Sequence, residues 1–239
     1  ITEIWDVLRA FASFGFCKAH AAAFALPTYQ SAYLKTHHPA AFIAGVLTHD
    51  PGMYPKRLMV DEARQLGVGL APLDINFSNE NYTVEKSSDG AYSVRIALST
   101  VGGISAGEID SIIAGRPYID LADFYRRSGA SHPIIETLIM TGAFDRVHSL
   151  NEKNKDALNH RDLLLHLSDL TRSPASNISG SQMVFGFAPP ALATSGLPAM
   201  GASEKVRNEV ERLGMDITHH MLEFYAPFLN AIGAVKSSD

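Results

Sequence analysis

The tetrad Val101-Gly102-Gly103-Ile104, followed by Ala106, Ile109 and Ile112-Ile113, constrains this chain more than any other feature. Two adjacent glycines ahead of an apolar helical period predict a tight turn that opens a helix, since glycine takes such backbones without steric cost. The pattern suggests a helix-hairpin-helix, in which the backbone N–H groups of Gly102, Gly103, Ile104 and Ser105 approach a DNA phosphate unobstructed by side chains. Contacts of that kind ignore base sequence and suit a protein that slides along any duplex. Arg116 is placed to add a charge-assisted contact to the same strand. An ordinary αα-hairpin whose glycines only ease packing fits the same residues, and Ser105 stands where a second glycine is expected.

The chain around this element reads as mainly α. Residues 2–13 place Ile4, Trp5, Leu8 and Phe11 on one helical face, with Thr2 as N-cap. An alanine-rich helix follows from His20 to His37, with a kink expected at Pro27. Pro39 opens a third helix through Val46, and residues 54–67 form a fourth, stopped at Gly67. Residues 70–76 are extended and loop-like. Tyr82-Thr83-Val84 and Tyr92-Ser93-Val94-Arg95-Ile96 alternate as a strand pair about the turn Ser88-Asp89-Gly90. Short helices are predicted over 105–115, 120–128, 133–141 and 152–170. A linker rich in Ser, Pro, Ala and Gly covers 173–202, and a helical pattern resumes near Ser203, breaks at Gly214 and runs to Ile232.

Composition enters as exclusion. One cysteine, Cys17, permits no internal disulfide and points to a reducing cytoplasm. No apolar run approaches the roughly 20 residues of a membrane-spanning helix. The net charge of −5 argues against a surface that clings to nucleic acid throughout, so any DNA contact must be local. The paired histidines His37-His38 and His219-His220 point to different helix faces, and no metal-ligand spacing is present. No metal site is expected here, and no close aspartate pair could hold two Mg²⁺ ions.

Two further segments carry chemistry. In Gly15-Phe16-Cys17-Lys18-Ala19-His20 a glycine turn leads into a helix start flanked by lysine and histidine, which makes an anion site suited to phosphate. A capped helix start with a solvated lysine is the plainer alternative. Gln182-Met183-Val184-Phe185-Gly186-Phe187 resembles a short docking peptide for a hydrophobic groove, or a segment folded back on its own domain.

Together these residues resemble a known family. The run Phe11-Ala12-Ser13-Phe14-Gly15-Phe16-Cys17-Lys18-Ala19-His20-Ala21-Ala22-Ala23-Phe24-Ala25 is similar to a signature of bacterial DNA polymerase III alpha subunits, the C-family DNA polymerases. Similarity continues through Tyr29-Gln30-Ser31-Ala32-Tyr33-Leu34-Lys35, His38-Pro39-Ala40-Ala41-Phe42, Leu73-Asp74-Ile75-Asn76 and Leu138-Ile139-Met140-Thr141-Gly142-Ala143-Phe144-Asp145, in order along nearly the whole chain.

The resemblance implies a fragment that starts in the polymerase fingers. Residues 1–76 are then a multi-helix fingers portion, 77–150 a strand pair with a helix-hairpin-helix DNA-binding domain, and 151–172 a helical extension; 173–202 is the linker, and 203–239 holds helices leading to an OB-fold beyond it. Lys18 and His20 are implied to face the incoming dNTP or the templating base, and residues 101–105 to hold primer–template DNA. Gln182, Met183, Phe185 and Phe187 fall where the family carries its sliding-clamp peptide, which Gly186 weakens; clamp access then runs directly or through an accessory protein. The catalytic carboxylates and their Mg²⁺ lie outside the fragment, which is expected to be inactive alone, in the cytoplasm at the nucleoid. His220-Met221, where replicative members carry His-Pro, resembles the error-prone, damage-induced branch (the ImuC type). A replicative alpha subunit, a non-catalytic DNA-binding module and a helical interaction protein without a DNA role remain the alternatives.

Overall fold

The computed structural model describes residues 2–12, 17–50, 52–86, 90–150, 157–172 and 191–235, with the side chains of residues 10–12 excepted. Four helices come first: α1 (Thr2–Ala12), α2 (Lys18–His37), α3 (Pro39–His49) and α4 (Lys56–Gln65). Strands β1 (Gly69–Ala71), β2 (Thr83–Lys86) and β3 (Tyr92–Arg95) follow. Then come α5 (Ala106–Ala114), α6 (Leu121–Arg127), α7 (His132–Met140), α8 (His160–Arg172), α9 (Ala202–Leu213) and α10 (Ala226–Ala231). The mainly helical reading holds, and Pro39 opens α3 at its first position as expected. The helix α2 runs through Pro27 as one element. Among the described residues no helix is long and apolar enough to cross a membrane.

The sheet differs from the expected strand pair. It has three strands in the order β1-β3-β2, with β2 antiparallel to β3 and β1 parallel to it. The loop-like reading of residues 70–76 missed β1 because a strand of only 3 residues shows no alternation, and its parallel partner is remote in sequence. What directs the chain into β1 is local. Gly67 has φ +71, its N–H donates to the Arg64 carbonyl at 3.1 Å, and the Val68 N–H donates to the Ala63 carbonyl at 2.9 Å. This is the Schellman closure of α4, which needs the left-handed backbone that glycine takes freely. Arg95 then ties the sheet together. Its guanidinium forks onto both Glu85 carboxylate oxygens, at 2.7 and 2.6 Å, and its third nitrogen donates to the Pro72 carbonyl just beyond β1 at 2.7 Å. The Arg95 bond holds the Glu85 carboxyl below its ordinary value.

One core runs from Ile43 and Leu47 of α3, through Val94 and Ile96, to Leu138, Leu163 and Leu213. Residues on both sides of position 76 therefore pack into the same interior, and the Ile75 N–H donates to the Ala143 carbonyl at 3.1 Å. An aromatic ladder fills its centre. Tyr118 meets Phe124 edge-on at 4.7 Å, and Phe124 meets Phe144 at 5.1 Å with the planes 86° apart. A second Schellman closure, at Gly142 with φ +80, delivers Phe144 there from the end of α7. The helix α8 lays Leu163, Leu167 and Leu170 over α6 and α7. Its start at His160 is later than the 152–170 reading, whose first residues, 151–156, lie outside the described set.

The tail returns to the beginning. Arg64 of α4 donates to the Asp216 carbonyl at 2.7 Å, and the Glu209 carboxylate accepts from the Ile217 and Thr218 N–H groups at 2.7 and 3.1 Å. Phe144 has no exposed surface, and its removal would leave a cavity beside Phe124. Phe144→Ala should therefore cost about 3–5 kcal/mol, read as a lowered urea midpoint at unchanged slope. A loss under about 1 kcal/mol, the level of a surface substitution, would mean that the ladder is not the centre of the core.

Candidate nucleic-acid interface

The glycine tetrad sits where a short 3-10 helix (Leu98–Thr100) gives way to α5. Val101 is buried and anchors the turn, while the Ile104 N–H donates back to the Val101 carbonyl at 3.2 Å. Gly103 has φ +82 and is exposed. Among the described residues nothing lies within 4 Å of where its Cβ would stand, and no partner is found for its N–H. Ser105 caps α5 in a reciprocal box. Its N–H and Oγ–H donate to Glu108 Oε2 at 2.9 and 2.8 Å, and the Glu108 N–H donates to Ser105 Oγ at 3.3 Å. The first amides of α5, on exposed Ala106 and Gly107, belong to the orphan donors that every helix start presents.

Four of the five expected phosphate contacts, those of Gly102, Ile104, Ser105 and Arg116, already have partners within the chain. The Gly102 N–H donates to the Arg212 carbonyl at 3.1 Å, and a Cβ on Gly102 would come within 3.4 Å of that oxygen. The end of α9 thus lies in contact with Gly102 and takes up its N–H. Arg116 is half-buried and braces the loop before β2: Nε donates to the Ile75 carbonyl at 2.8 Å, Nη1 to Asn79 Oδ1 at 3.2 Å and Nη2 to the Ser78 carbonyl. Ser105 spends its own N–H on Glu108. Gly103 is the member of the motif that faces solvent with its donor free among the described residues.

A second turn of the same make lies beside the first. Between α6 and α7, Ser128-Gly129-Ala130-Ser131 repeats the order of Gly102-Gly103-Ile104-Ser105: a glycine with positive φ (+68 at Gly129), an apolar residue, and a serine in extended backbone as N-cap. Ser131 donates its N–H and Oγ–H to Glu108 Oε1 at 2.9 and 2.8 Å. One carboxylate therefore receives both turns. These hydrogen bonds, the Ser131 N–H first, draw the Glu108 carboxyl down to about 2. The pattern Gly-Ile-Ser and Gly-Ala-Ser was present in the sequence, as was the Ser105/Glu108 spacing of a capping box; sequence reasoning stopped at the first turn.

The remaining expected residues lie elsewhere. Lys18 and His20 stand in the first turn of α2, both exposed, with His20 stacked on Phe24 at 4.6 Å. The glycine turn before them, at 13–16, is outside the described residues, as are Gln182, Met183, Phe185 and Phe187. Cys17 is exposed rather than packed. Among the described residues one group, Asp61, Asp216 and His220, brings ligand atoms within 4.8 Å of one another. Arg64 already occupies it, with Nη1 at 2.9 Å from Asp61 Oδ1 and 3.4 Å from Asp216 Oδ2, so it is an ion-pair node joining α4 to the tail.

Paired turns of this form, each placing a glycine and a capped helix start at the surface, define a helix-hairpin-helix protein, and residues 67–156 match the family described as "Helix-hairpin-helix motif". The chain is 34% identical over 258 residues to an error-prone DNA polymerase of Symbiobacterium thermophilum, covering 92% of this chain and 23% of that one. It is 32% identical over 235 residues to an error-prone DNA polymerase of Bdellovibrio bacteriovorus (96% and 21%), and 30% identical over 258 residues to a DNA polymerase III subunit alpha of Chlamydia pneumoniae (100% and 20%). Over nearly its whole length the chain is thus similar to bacterial DNA polymerases of the error-prone and DNA polymerase III alpha types. It spans between a fifth and a quarter of the length of these relatives.

The placement of the second turn depends on a histidine. His148 Nε2 accepts the N–H of Leu121, the first residue of α6, at 3.1 Å. Burial pushes the His148 imidazole below its ordinary value, and burial does the same to nearby His166. The unfolded chain therefore takes up these protons first, so their contribution to stability is complete above about pH 6.5 and is lost as the pH falls through that value toward the folded pKa. The urea midpoint should decline from pH 7 to pH 5, and His148→Gln, which can accept the same N–H without titrating, should flatten part of that decline. An equal slope in both proteins would remove His148 as a source of the pH dependence.

Proposed function

We propose that this chain is the part of a DNA-directed DNA polymerase that grips the sugar–phosphate backbone of primer–template DNA through the turns at Gly103 and Gly129. The observation that carries the reading is the duplication itself: two exposed glycines at φ +82 and +68, each leading through a serine at the N-cap position into a helix, the two serines tied through one carboxylate. Backbone donors of this kind read phosphate and no base, which is what a polymerase needs of a duplex it must move along. They also reconcile DNA binding with a net charge of −5, since the contact is confined to a small face.

On this reading Arg116, fully charged while it braces the loop at 75–79, adds its positive charge to the field at the phosphate. Lys18 and His20, exposed at the start of α2, meet the triphosphate of an incoming dNTP or the templating base. The whole enzyme would carry out phosphoryl transfer with Mg²⁺ held by carboxylates outside this chain, which by itself positions and does not polymerise. The segment with Gln182, Met183, Phe185 and Phe187 would meet a sliding clamp, directly or through an accessory protein. The error-prone branch, with a role in translesion synthesis and repair in the bacterial cytoplasm, is favoured by His220-Met221 and by relatives that bear that name.

Fluorescence anisotropy of the chain on a primer–template duplex, over a salt series, tests the grip. Binding should weaken only shallowly with salt, because neutral backbone donors, unlike Lys or Arg, displace few counterions from the phosphates. Gly103→Glu and Gly129→Glu each put a like charge at the phosphate-facing backbone, and each should weaken binding about tenfold or more, the scale of losing hydrogen bonds to a charged group. Affinity that neither substitution changes would move the DNA site off these turns.

A further inference from the structure

We propose that Glu108 is a positioning residue for duplex binding: its carboxylate sets the spacing between the Gly103 and Gly129 turns, so that removing this anion weakens the hold on DNA. The inference rests on the duplex reading and deepens it. Four donors converge on the carboxylate, two per oxygen: Ser105 N–H and Oγ–H on Oε2, and Ser131 N–H and Oγ–H on Oε1, all between 2.8 and 2.9 Å. The first pair is an ordinary capping box. The second is not local, since Ser131 stands at the N-cap of α7, 23 residues from Glu108, and its side chain accepts no N–H of that helix. Without Glu108, the N–H of Ser131 has no acceptor in the described structure and the second turn loses its tie to the first.

Simple electrostatics gives the opposite expectation. A carboxylate beside a phosphate site repels the ligand, and its removal exposes two helix starts worth about half a positive charge each. On charge alone, Glu108→Ala should therefore bind DNA more tightly. Geometry opposes this: two turns can meet successive phosphates together only if their separation is held, and otherwise each pays its own ordering entropy on binding. The same bookkeeping explains why the anion is tolerated. One carboxylate roughly balances the two helix starts, leaving the amides to act by direction rather than by net charge.

The test is a double-substitution cycle on the full 239-residue chain, with primer–template duplex as probe and thermal midpoints recorded in parallel. Glu108→Ala should weaken binding about tenfold, near the loss from Gly129→Glu, and the two together should lose little more than either alone, since coupled sites are not additive. Glu108→Gln, which keeps one acceptor oxygen for the α5 cap, should retain the wild-type thermal midpoint yet still bind weakly. The Ser131 amide proton, protected from exchange in the wild type, should exchange at least about tenfold faster in Glu108→Ala, as an amide does when its hydrogen bond is gone. Equal or tighter binding by Glu108→Ala, or losses that add in full, overturns the inference while leaving the duplex reading standing. Wild-type affinity in both glycine variants overturns the duplex reading by itself, and the Ser131 amide then still decides whether Glu108 holds the turn; unchanged exchange in Glu108→Ala overturns that too.

Discussion

Phe144 is the point on which the hairpin region depends. It reaches the centre of the core only because Gly142 reverses the chain at the end of α7, and there it supports Phe124 of α6, which in turn supports Tyr118. Tyr118 donates its phenol to the Ile112 carbonyl of α5 at 2.9 Å, and its backbone exchanges hydrogen bonds with the Asn76 side chain at 2.9 and 2.8 Å. One apolar contact chain therefore orients α5, α6 and α7, the three helices whose ends carry the two turns, and links them to the loop that follows β1. Close packing of this kind transmits position, because a shift in one ring leaves its neighbours no equivalent place to go.

The glycines divide the labour at the surface. Gly102 and Gly103 are adjacent and look interchangeable, yet one spends its N–H on the Arg212 carbonyl and the other is required by its positive φ. The first bond has a further consequence. By accepting from Gly102, the end of α9 becomes part of the first turn's support, and Arg212 also donates from Nη1 to Thr137 of α7 at 3.0 Å. A helix from beyond the Ser- and Pro-rich stretch thus touches both hairpins, and Asp216 just past it is held by Arg64. The parts that a linear reading separates are mechanically one face.

Most helices were legible because each signal for them is local. Apolar period, Pro39 at a first turn, Gly67 past a last turn and Gly214 at a break are all read within a few residues, and the structure has α3, α4 and α9 where they predict them. What was not legible depends on partners far along the chain. The strand β1 exists because β3 accepts it, and residues 69–71 alone show nothing of that. Gly102 and Arg116 were read as DNA contacts from residue type and neighbourhood, whereas their acceptors come from residues 212 and 75–79. The second turn was hidden for another reason. Ala130 stands where the first turn has Ile104, so its apolar signal is too small to stand out beside the helix ends around it.

Charge explains why the binding face could not be found as a basic patch. Much of the arginine near the turns is committed to acceptors of the chain itself: Arg127 donates to Asp123 and to the carbonyls of Gly115 and Pro117, Arg116 to the loop at 75–79, and Arg212 to Asn208 and Thr137. These cations hold backbone in place. What they leave at the surface is oriented N–H, which costs no side-chain entropy to aim and carries no long-range field. On the proposed reading, a face built this way holds a duplex by the direction of its donors and only when both turns engage.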